Sequence, residues 1–295
     1  MRPPKVGLSV LPEEDLRLAQ LPLFAAGLVD AIEWTIDAEF EGVLPSWVEP
    51  LLDHYASCGV LYGHGVQFSP LSGLFEARQA RWLEQASRVL AKRPYRQLSE
   101  HFGFTTVPGL ARSAPLPVPF VPRAVAIGRD RLRSLQDAAA GTCVGLENLA
   151  LSMSRTDVLM QGEFLDQLLE PTNGFLLLDL HNLHCQSENF DVAADELVLS
   201  MPLERVREIH VSGGSWSSVS TPDGPRPFRR DTHDDAIPEA VFSLLGFTLA
   251  RCPLLEVVFV ERLGKTLNNP VDVARYRADY ERVRSIVAAA GQAGG

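Results

Sequence analysis

Eight short apolar runs recur along the chain, separated by longer segments in which apolar residues return at helical spacing. Runs of this length, rich in Val, Leu and Ile, are typical of strands that a parallel sheet buries on both faces. The predicted strands are Lys5–Val10, Ala31–Thr35, Leu61–Gly65, Gln97–His101, 142–147, Phe175–Asp179, Val206–Val211 and 255–261.

Helices are predicted between these strands, after the first strand and at residues 50–57, 75–91, 123–140, 162–169, 191–199, 233–250 and 270–290. Alternating strands and helices imply a parallel sheet with right-handed crossovers. Eight such units, with no GxGxxG motif after the first strand, favour one α/β domain, a (β/α)8 TIM-type barrel, over a doubly wound sheet. We expect this domain to span residues 1–295, with its core at 5–290 and a flexible tail at 291–295.

Two long connections interrupt the alternation. The first carries Pro108, Pro115, Pro117, Pro119 and Pro122, and is predicted to be a functional loop too rich in proline for regular structure. The second, at residues 212–230, is rich in Gly, Ser and Pro. The first connection would serve as a lid or as the docking surface for a partner, and the sequence leaves both open.

Composition narrows the functional classes. A hydrophobic content of 46% in 295 residues supports a large core, and a formal charge of −10 argues against a nucleic-acid partner. We find no signal peptide and no membrane span, and expect a soluble cytoplasmic protein with no membrane partner. The cysteines are far apart without a CxxC pair, which argues against a zinc ribbon or a disulfide framework; they are Cys58, Cys143, Cys185 and Cys252.

Histidines mark the ends of the predicted strands. Of seven in the chain, all but His54, which falls in a predicted helix, lie at or just after a strand end: His64, His101, His181, His184, His210 and His233. In a TIM-type barrel these ends meet at one face, where they would join the carboxylates of Glu147, Asp179, Asp231 and Glu261. Such a donor set suits Fe, Mn, Co or Zn and exceeds the needs of one ion, so we expect two or three metals with Glu147 as a bridge.

Each of these residues alone has an ordinary structural explanation. His64 would be a core histidine, Glu261 a salt-bridge partner within the barrel, and Asp231 the cap of a helix that begins near His233. Their convergence argues otherwise, because burying several carboxylates and imidazoles together without a cation leaves unpaired charges that cost several kcal/mol each.

Seven motifs at these positions resemble those of the multinuclear non-heme iron-dependent oxidative enzymes, which include the oxidase of methanobactin biosynthesis. They are HGVQFSP at 64–70, SEHFGF at 99–104, GLENLA at 145–150, LLLDLHNLHCQSEN at 176–189, EIHVSGG at 208–214, RDTHDD at 230–235 and VERLG at 260–264. The resemblance covers residues 6–264 and implies a TIM-type barrel that holds two or three irons, mixed Fe(II)/Fe(III), with O2 as co-substrate.

Carried over position by position, the resemblance implies the metal ligands His64, His101, Glu147, Asp179, Asn182, His210, Asp231, His233 and Glu261, with Glu147, Asp179 and Asp231 catalytic. The sequence departs from the family at His181, which precedes Asn182, and at His184, where an aromatic residue is common; His184 is therefore a further candidate ligand. The family oxidises a residue, often Cys or Asp, in a ribosomally made precursor peptide that a partner protein commonly presents.

Three arginines in the second connection are candidate substrate-binding residues. Arg226, Arg229 and Arg230 would clamp a peptide carboxylate, or form a solvated basic loop. Two other functional classes remain open: a divalent-metal isomerase or phosphodiesterase of the xylose-isomerase and endonuclease IV type, and a non-catalytic metal-bound scaffold.

Overall fold

The computed structural model describes residues 3–40, 42–107, 110–222 and 224–293. Its strands are β1 Lys5–Val10, β2 Ala31–Thr35, β3 Leu61–Gly65, β4 Gln97–His101, β5 Phe104–Val107, β6 Leu110–Leu116, β7 Cys143–Glu147, β8 Phe175–Asp179, β9 Val206–Val211, β10 Trp216–Thr221, β11 Gly224–Arg229 and β12 Val257–Val260. Its α-helices are α1 Glu14–Ala25, α2 Val48–Ser57, α3 Ala77–Lys92, α4 Pro122–Ala138, α5 Arg155–Leu169, α6 Leu180–Phe190, α7 Ala194–Ser200, α8 Glu239–Leu249 and α9 Pro270–Ala293.

Eight parallel strands close into a barrel in the order β1-β12-β9-β8-β7-β4-β3-β2, which confirms the TIM-type architecture expected from the sequence. The pairing of β1 with both β12 and β2 closes the ring. The remaining strands form two antiparallel hairpins, β5–β6 after β4 and β10–β11 after β9. None of the helices in the described part of the chain is long and apolar enough to cross a bilayer.

The barrel interior has its own small core. Ala31, Tyr62, Val257 and Phe259 pack together there, with the Tyr62 and Phe259 rings edge to face at 5.2 Å. The larger core fills the space between the barrel and the helices. Because side chains alternate along a strand, the next inward residue after Tyr62 is His64 and the next after Phe259 is Glu261. The pleat therefore places polar side chains directly above an apolar plug.

Both long connections contain regular structure, so the prediction of an irregular proline-rich loop is wrong for residues 110–116. There β6 passes through Pro115, which a two-stranded ribbon tolerates because each strand has one free edge. Pro108 lies outside the described residues. Residues 117–121 have neither helix nor strand, and Pro122 opens α4.

Several helix boundaries differ from those predicted. Helix α5 begins at Arg155 rather than 162, because Ser154 caps it by accepting a hydrogen bond from the Asp157 amide. Helix α6 was not predicted, and α8 begins at Glu239 rather than 233. Helix α9 continues to Ala293, three residues beyond the predicted end at 290, while 294 and 295 lie outside the described residues.

Candidate metal centre

Six barrel strands deliver a metal-ligand type of side chain to the same end of the barrel. The strand register sets some of them side by side, since His101 is the lateral partner of Glu147, and Asp179 is the partner of His210. The six residues are His64, His101, Glu147, Asp179, His210 and, one position after β12, Glu261.

The first candidate ligand set consists of His64, His101 and Glu147, whose donor atoms lie within 4.8 Å of one another. Glu147 Oε2 is 3.5 Å from His64 Nε2 and 3.3 Å from His101 Nε2. His64 Nδ1 lies 2.8 Å from Ser99 Oγ, and the Ser99 hydroxyl donates its own hydrogen bond to the Gly63 carbonyl. That contact holds the proton on Nδ1 and leaves the His64 Nε2 lone pair directed at the site.

The second candidate set shares Glu147 with the first and adds Asp179, His210 and Glu261. His210 Nδ1 is 3.0 Å from Glu261 Oε2 and 4.0 Å from Glu147 Oε1. His210 Nε2 donates to Glu33 Oε1 at 2.9 Å, inside the barrel. The Glu33 carboxylate therefore fixes the tautomer in which His210 Nδ1 is free to bind a cation.

The third candidate set is Asn182, Asp231 and His233. His233 Nε2 is 2.7 Å from Asp231 Oδ1, and both Asn182 and Asp231 line the same cavity. His233 has a positive φ of 49°, an uncommon conformation for a non-glycine residue, and its carbonyl is fixed by the Leu263 amide at 2.9 Å.

Two glycines of the EIHVSGG motif permit this third set. A Cβ on Gly214 would lie 2.2 Å from the Arg230 carbonyl oxygen, and one on Gly213 would lie 2.0 Å from the Ala236 carbonyl oxygen. Only glycine lets the segment after β9 pack this closely against residues 230–236. The close approach determines where Asp231 and His233 stand.

The donor atoms of the three sets are the test of whether a metal fits. Each set has buried nitrogen or oxygen atoms without a hydrogen-bond partner in the described part of the chain: Glu147 Oε2, Asp179 Oδ2, Asn182 Oδ1, His210 Nδ1, His233 Nε2 and Glu261 Oε2. His210 and His233 approach carboxylates at 3.0 and 2.7 Å, yet their N–H directions are not aligned for hydrogen bonds. Such atoms, facing one another without partners, fit polyvalent cations.

In the second set, burial and neighbouring charges shift the pKa values of the ionisable groups. Burial and the Asp231 and Glu261 charges raise the pKa of Asp179 to about 8. Burial raises and His210 and His233 lower the pKa of Glu261, with a net fall to about 2. Burial opposes a charge on His210, but Glu261 and Glu33 outweigh it and raise its pKa. A protonated imidazole thus supplies the positive charge that a metal would otherwise supply.

The first set behaves differently. Burial lowers the pKa of His101 to about 4, and burial together with the neighbouring imidazoles lowers that of His64 well below its usual range. Burial also raises the pKa of Glu147 well above its usual range. At neutral pH both histidines are therefore neutral donors, ready to bind a metal without losing a proton.

Helix α6 starts directly at the end of β8, and Asp179 is both the last residue of the strand and the N-cap of the helix. Asp179 Oδ1 accepts a hydrogen bond from the Asn182 amide at 2.5 Å and caps the helix, while Oδ2 remains unpaired at the site. Asn148 fixes the same junction by accepting from the Asp179 amide at 2.7 Å and donating to its carbonyl at 3.0 Å. The first turn of α6 thereby brings Asn182 to the site.

Other histidines of α6 lie outside the ligand sets. His181 has both ring nitrogens engaged, Nδ1 with Asp231 Oδ1 at 3.0 Å and Nε2 with Arg229 Nη2 at 3.2 Å. Because the guanidinium only donates, His181 is neutral with its proton on Nδ1. The predicted ligand His184 stands apart from the three sets, and its Nδ1 is 3.9 Å from Glu188.

The three arginines occupy different environments. Arg229 is buried, contacting His181 and lying over the Trp216 ring at 5.4 Å, so it is not free to clamp a substrate. Arg226 is exposed and donates to the Asn189 carbonyl at 3.3 Å. Arg230 is exposed at the cavity beside Asp231. Of the three, Arg230 is the one that lines this cavity.

A cavity of about 330 Å³, the metal cavity, opens beside the ligand sets. His101, Asn182 and Asp231 form its polar side. Its apolar side comes from both hairpins and from the loop after β7, through Pro115, Phe228 and Leu149–Leu151. The space is large enough for a few side chains of a peptide and is bordered by candidate metal ligands.

The buried residues that orient the ligands were not predicted from the sequence. Glu33, Ser99 and Asn148 each hydrogen-bond a ligand, and Glu208 lies beside Glu33 with both oxygens unpaired in the described residues. A carboxylate in the middle of an apolar strand, as at Glu33 in AIEWT, was the available signal. It pointed to a buried polar partner without saying which one.

A sequence profile of the family described as RiPP precursor modification enzyme MbnB/TglH/ChrH matches residues 39–287. Among curated relatives, UPF0276 proteins of Shewanella loihica and Caulobacter vibrioides are 27% identical over 207 residues and 28% identical over 148 residues. The first match covers 70% of this chain and 69% of the relative; the second covers 50% of each. The chain thus spans about half the length of the Caulobacter relative.

Solved structures share the fold at low identity. L-ribulose 3-epimerase aligns with a TM-score of 0.60 and 11% identity, covering 98% of this chain and 95% of that chain. Endonuclease IV from Thermus thermophilus aligns with a TM-score of 0.57 and 15% identity, covering 96% and 100%. These likenesses agree with the closed barrel and say nothing of chemistry.

Proposed function

The chain belongs to the family of RiPP precursor modification enzymes typified by MbnB, TglH and ChrH, and we propose that it uses non-heme iron and O2 to oxidise a residue, Cys or Asp, in a ribosomally synthesised precursor peptide. One observation carries the proposal. Two sets of buried donor atoms share Glu147, several of these atoms are unpaired in the described residues, and Asn182 and Asp231 of the third set line the adjoining cavity of about 330 Å³.

The donor set supports iron as the metal. Neutral imidazoles and carboxylates in comparable number favour Fe, Mn, Co or Zn over Mg and Ca. Because the first two sets share Glu147, they would hold two neighbouring irons and the third set would hold another, in keeping with two or three irons, mixed Fe(II)/Fe(III). Bound iron would supply O2 activation and accept electrons from the substrate.

The chain's own groups bind, orient and shield. We assign Glu147, Asp179 and Asp231 as catalytic residues that contact the metals, and His64, His101, His210, His233, Asn182 and Glu261 as the remaining ligands. Asn182 Nδ2 donates to Glu147 Oε1 at 3.3 Å and to the Asn148 carbonyl at 2.8 Å, which restrains the shared carboxylate. The apolar side of the cavity limits water around the reacting residue.

The peptide would bind at the rim of the metal cavity. Arg230 is placed to bind a carboxylate of the peptide, whereas the burial of Arg229 assigns it to the support of His181. A protein that presents the peptide would dock where the hairpins β5–β6 and β10–β11 leave the cavity accessible. Both assignments are parts of the same proposal.

Metal analysis of protein purified without O2, with Mössbauer spectra before and after O2, tests the proposal first. We expect two or three irons per chain and a mixed-valent signal that O2 changes. Glu147→Gln should abolish O2-dependent turnover, because it weakens the carboxylate shared by two sets. Stoichiometric zinc or manganese with no response to O2 after reconstitution with iron would instead place the protein with the isomerases or phosphodiesterases, and near-normal turnover of Glu147→Gln would remove its assignment as the bridge.

A further inference from the structure

The proline-rich segment at residues 115–122 borders the metal cavity at one end and the outer surface at the other. Pro115 lines the metal cavity. Pro117 and Phe120 line a narrow cleft against Phe102 and Phe164, whose rings lie 5.0 Å apart. Beyond it, Phe120 and Val121 line a groove of about 590 Å³ on α4, the outer groove. One stretch of chain thus connects the site to the surface.

The outer groove and its surroundings expose apolar side chains. Val121, which lines this groove, is 41% exposed, and Leu74, next to Gly73 of a second depression, is 61% exposed. The second depression, of about 270 Å³ on the other side of Val121, is lined by Leu71, Val118 and Ile127 among others. Adjoining apolar exposure of this kind marks a place where another chain binds.

Unpaired arginines border both depressions. Arg133 lines the outer groove and Arg123 the second depression; both are exposed, and neither has a hydrogen-bond or ion-pair partner within residues 3–40, 42–107, 110–222 and 224–293. Arg129, between them, is already bound to the Gln167 carbonyl and to Glu170. Free cations beside an apolar groove are complementary to an acidic ligand, and they provide local positive charge on a chain whose net charge of −10 would otherwise repel one.

We propose that the outer groove binds an extended segment of the precursor peptide in which acidic residues flank apolar ones. The segment follows residues 115–122 while the residue to be modified occupies the metal cavity. This inference rests on the proposed function for the identity of the peptide, but not for the chemistry of the groove. Binding outside the cavity fixes the peptide without engaging the reacting residue, so different residues could be presented to one site.

Fluorescence anisotropy with two synthetic probes tests the groove. One is a fluorescein-labelled peptide of about 12 residues, which reaches roughly 40 Å when extended, with glutamates flanking leucines in a Gly/Ser background. Its twin carries lysines in place of the glutamates. The variant is Arg123→Glu/Arg133→Glu. The control is Arg275→Glu, an exposed arginine of α9, which follows the last barrel strand and lies across the barrel from α4.

We expect the glutamate probe to bind the wild-type chain and to bind the double variant about fivefold more weakly. The lysine probe should show the reverse preference, and Arg275→Glu should change neither. Equal losses in the variant and the control, no binding of the glutamate probe by the wild type, or an unchanged affinity would each overturn the inference. So would a wild-type dimer that the double variant converts to monomers, because a second copy would then fill the groove.

The anisotropy measurement needs neither iron nor O2, so the groove proposal can be refuted independently of the oxidase proposal. If the chain holds zinc and does not respond to O2 but binds the glutamate probe through its arginines, the oxidase proposal is refuted and the groove proposal stands. If the chain contains iron and responds to O2 but its affinity for the probe does not depend on the arginines, the groove proposal is refuted and the oxidase proposal stands.

Discussion

Replacing Glu33 by Gln removes one charge at the back of the metal centre and leaves its shape unchanged. Glu33 is fully buried and accepts the His210 Nε2 proton at 2.9 Å. A Gln carbonyl can still accept that hydrogen bond, but it no longer raises the basicity of Nδ1. Loss of such a carboxylate behind a histidine ligand lowers metal affinity about 10- to 100-fold, or roughly 1.4 to 2.7 kcal/mol.

The metal-free protein should lose no stability in the same variant. Burial raises the pKa of Glu33 despite the opposing charge of His210, which means that the carboxylate is costly to bury. Co(II) titration by absorbance gives the affinity, and urea unfolding of the metal-free protein gives the free energy of unfolding. Weaker binding with unchanged unfolding would separate an effect on the ligand from damage to the fold.

Glu208→Gln is the matched control. Glu208 lies in the same buried layer, but neither of its oxygens has a partner in the described residues. Burial and the Glu33 charge raise its pKa well above the usual range, which favours its uncharged form, the form that Gln resembles. We expect its metal affinity to stay within about twofold of wild type. Equal effects of the two substitutions, or none from Glu33→Gln, would refute the reasoning.

Three further predictions concern other parts of the site. Because the pKa of Asp179 is about 8 in the metal-free protein, metal must displace its proton at lower pH, and affinity should fall about tenfold per pH unit below 8; titrations at pH 6–9 that give one constant would contradict this. Gly214→Ala should lower the free energy of unfolding by about 1–3 kcal/mol and disrupt the third ligand set. Gly246→Ala is the control: a Cβ there meets open space in α8, so this change should raise the free energy of unfolding by about 0.5–1 kcal/mol. Metal content and urea unfolding compare the two variants. Arg229→Ala should lower stability by about 2 kcal/mol through loss of buried contacts, while Arg230→Ala should raise KM with little change in unfolding; the opposite pattern would reverse their roles.

The barrel strands were predictable because each is buried on both sides and therefore reads as a short apolar run. Lys5–Val10, Ala31–Thr35 and Phe175–Asp179 match the structure to the residue. The polar residues at the strand ends were equally visible, since a TIM-type barrel gathers such ends at one face. Strand pattern and histidine positions together located the candidate centre.

What the sequence hid depends on contacts across the fold. Helix α6 begins with LHNLHCQ, in which the His, Asn and Cys residues are weak helix formers, and it is stabilised because Asp179 caps it and the surrounding core buries it. The hairpin strand β6 runs through Pro115, against local preference. Neither the engagement of Arg229 with His181 nor that of Glu33 with His210 can be read from spacing, because the partners lie 48 and 177 residues apart.

The order of synthesis has a consequence for when the centre can be loaded. Its donors come from β3, β4, β7, β8 and β9, from Asn182, Asp231 and His233, and from the residue after β12, so Glu261 is the last of them to leave the ribosome. The ring itself closes only when β12 inserts between β9 and β1. A nascent chain can therefore present His64, His101 and Glu147 but cannot enclose a metal with them. Under the proposed function, a metal would therefore be loaded only after the barrel has closed, and the metal content of a preparation would report the fraction of chains that have completed their fold.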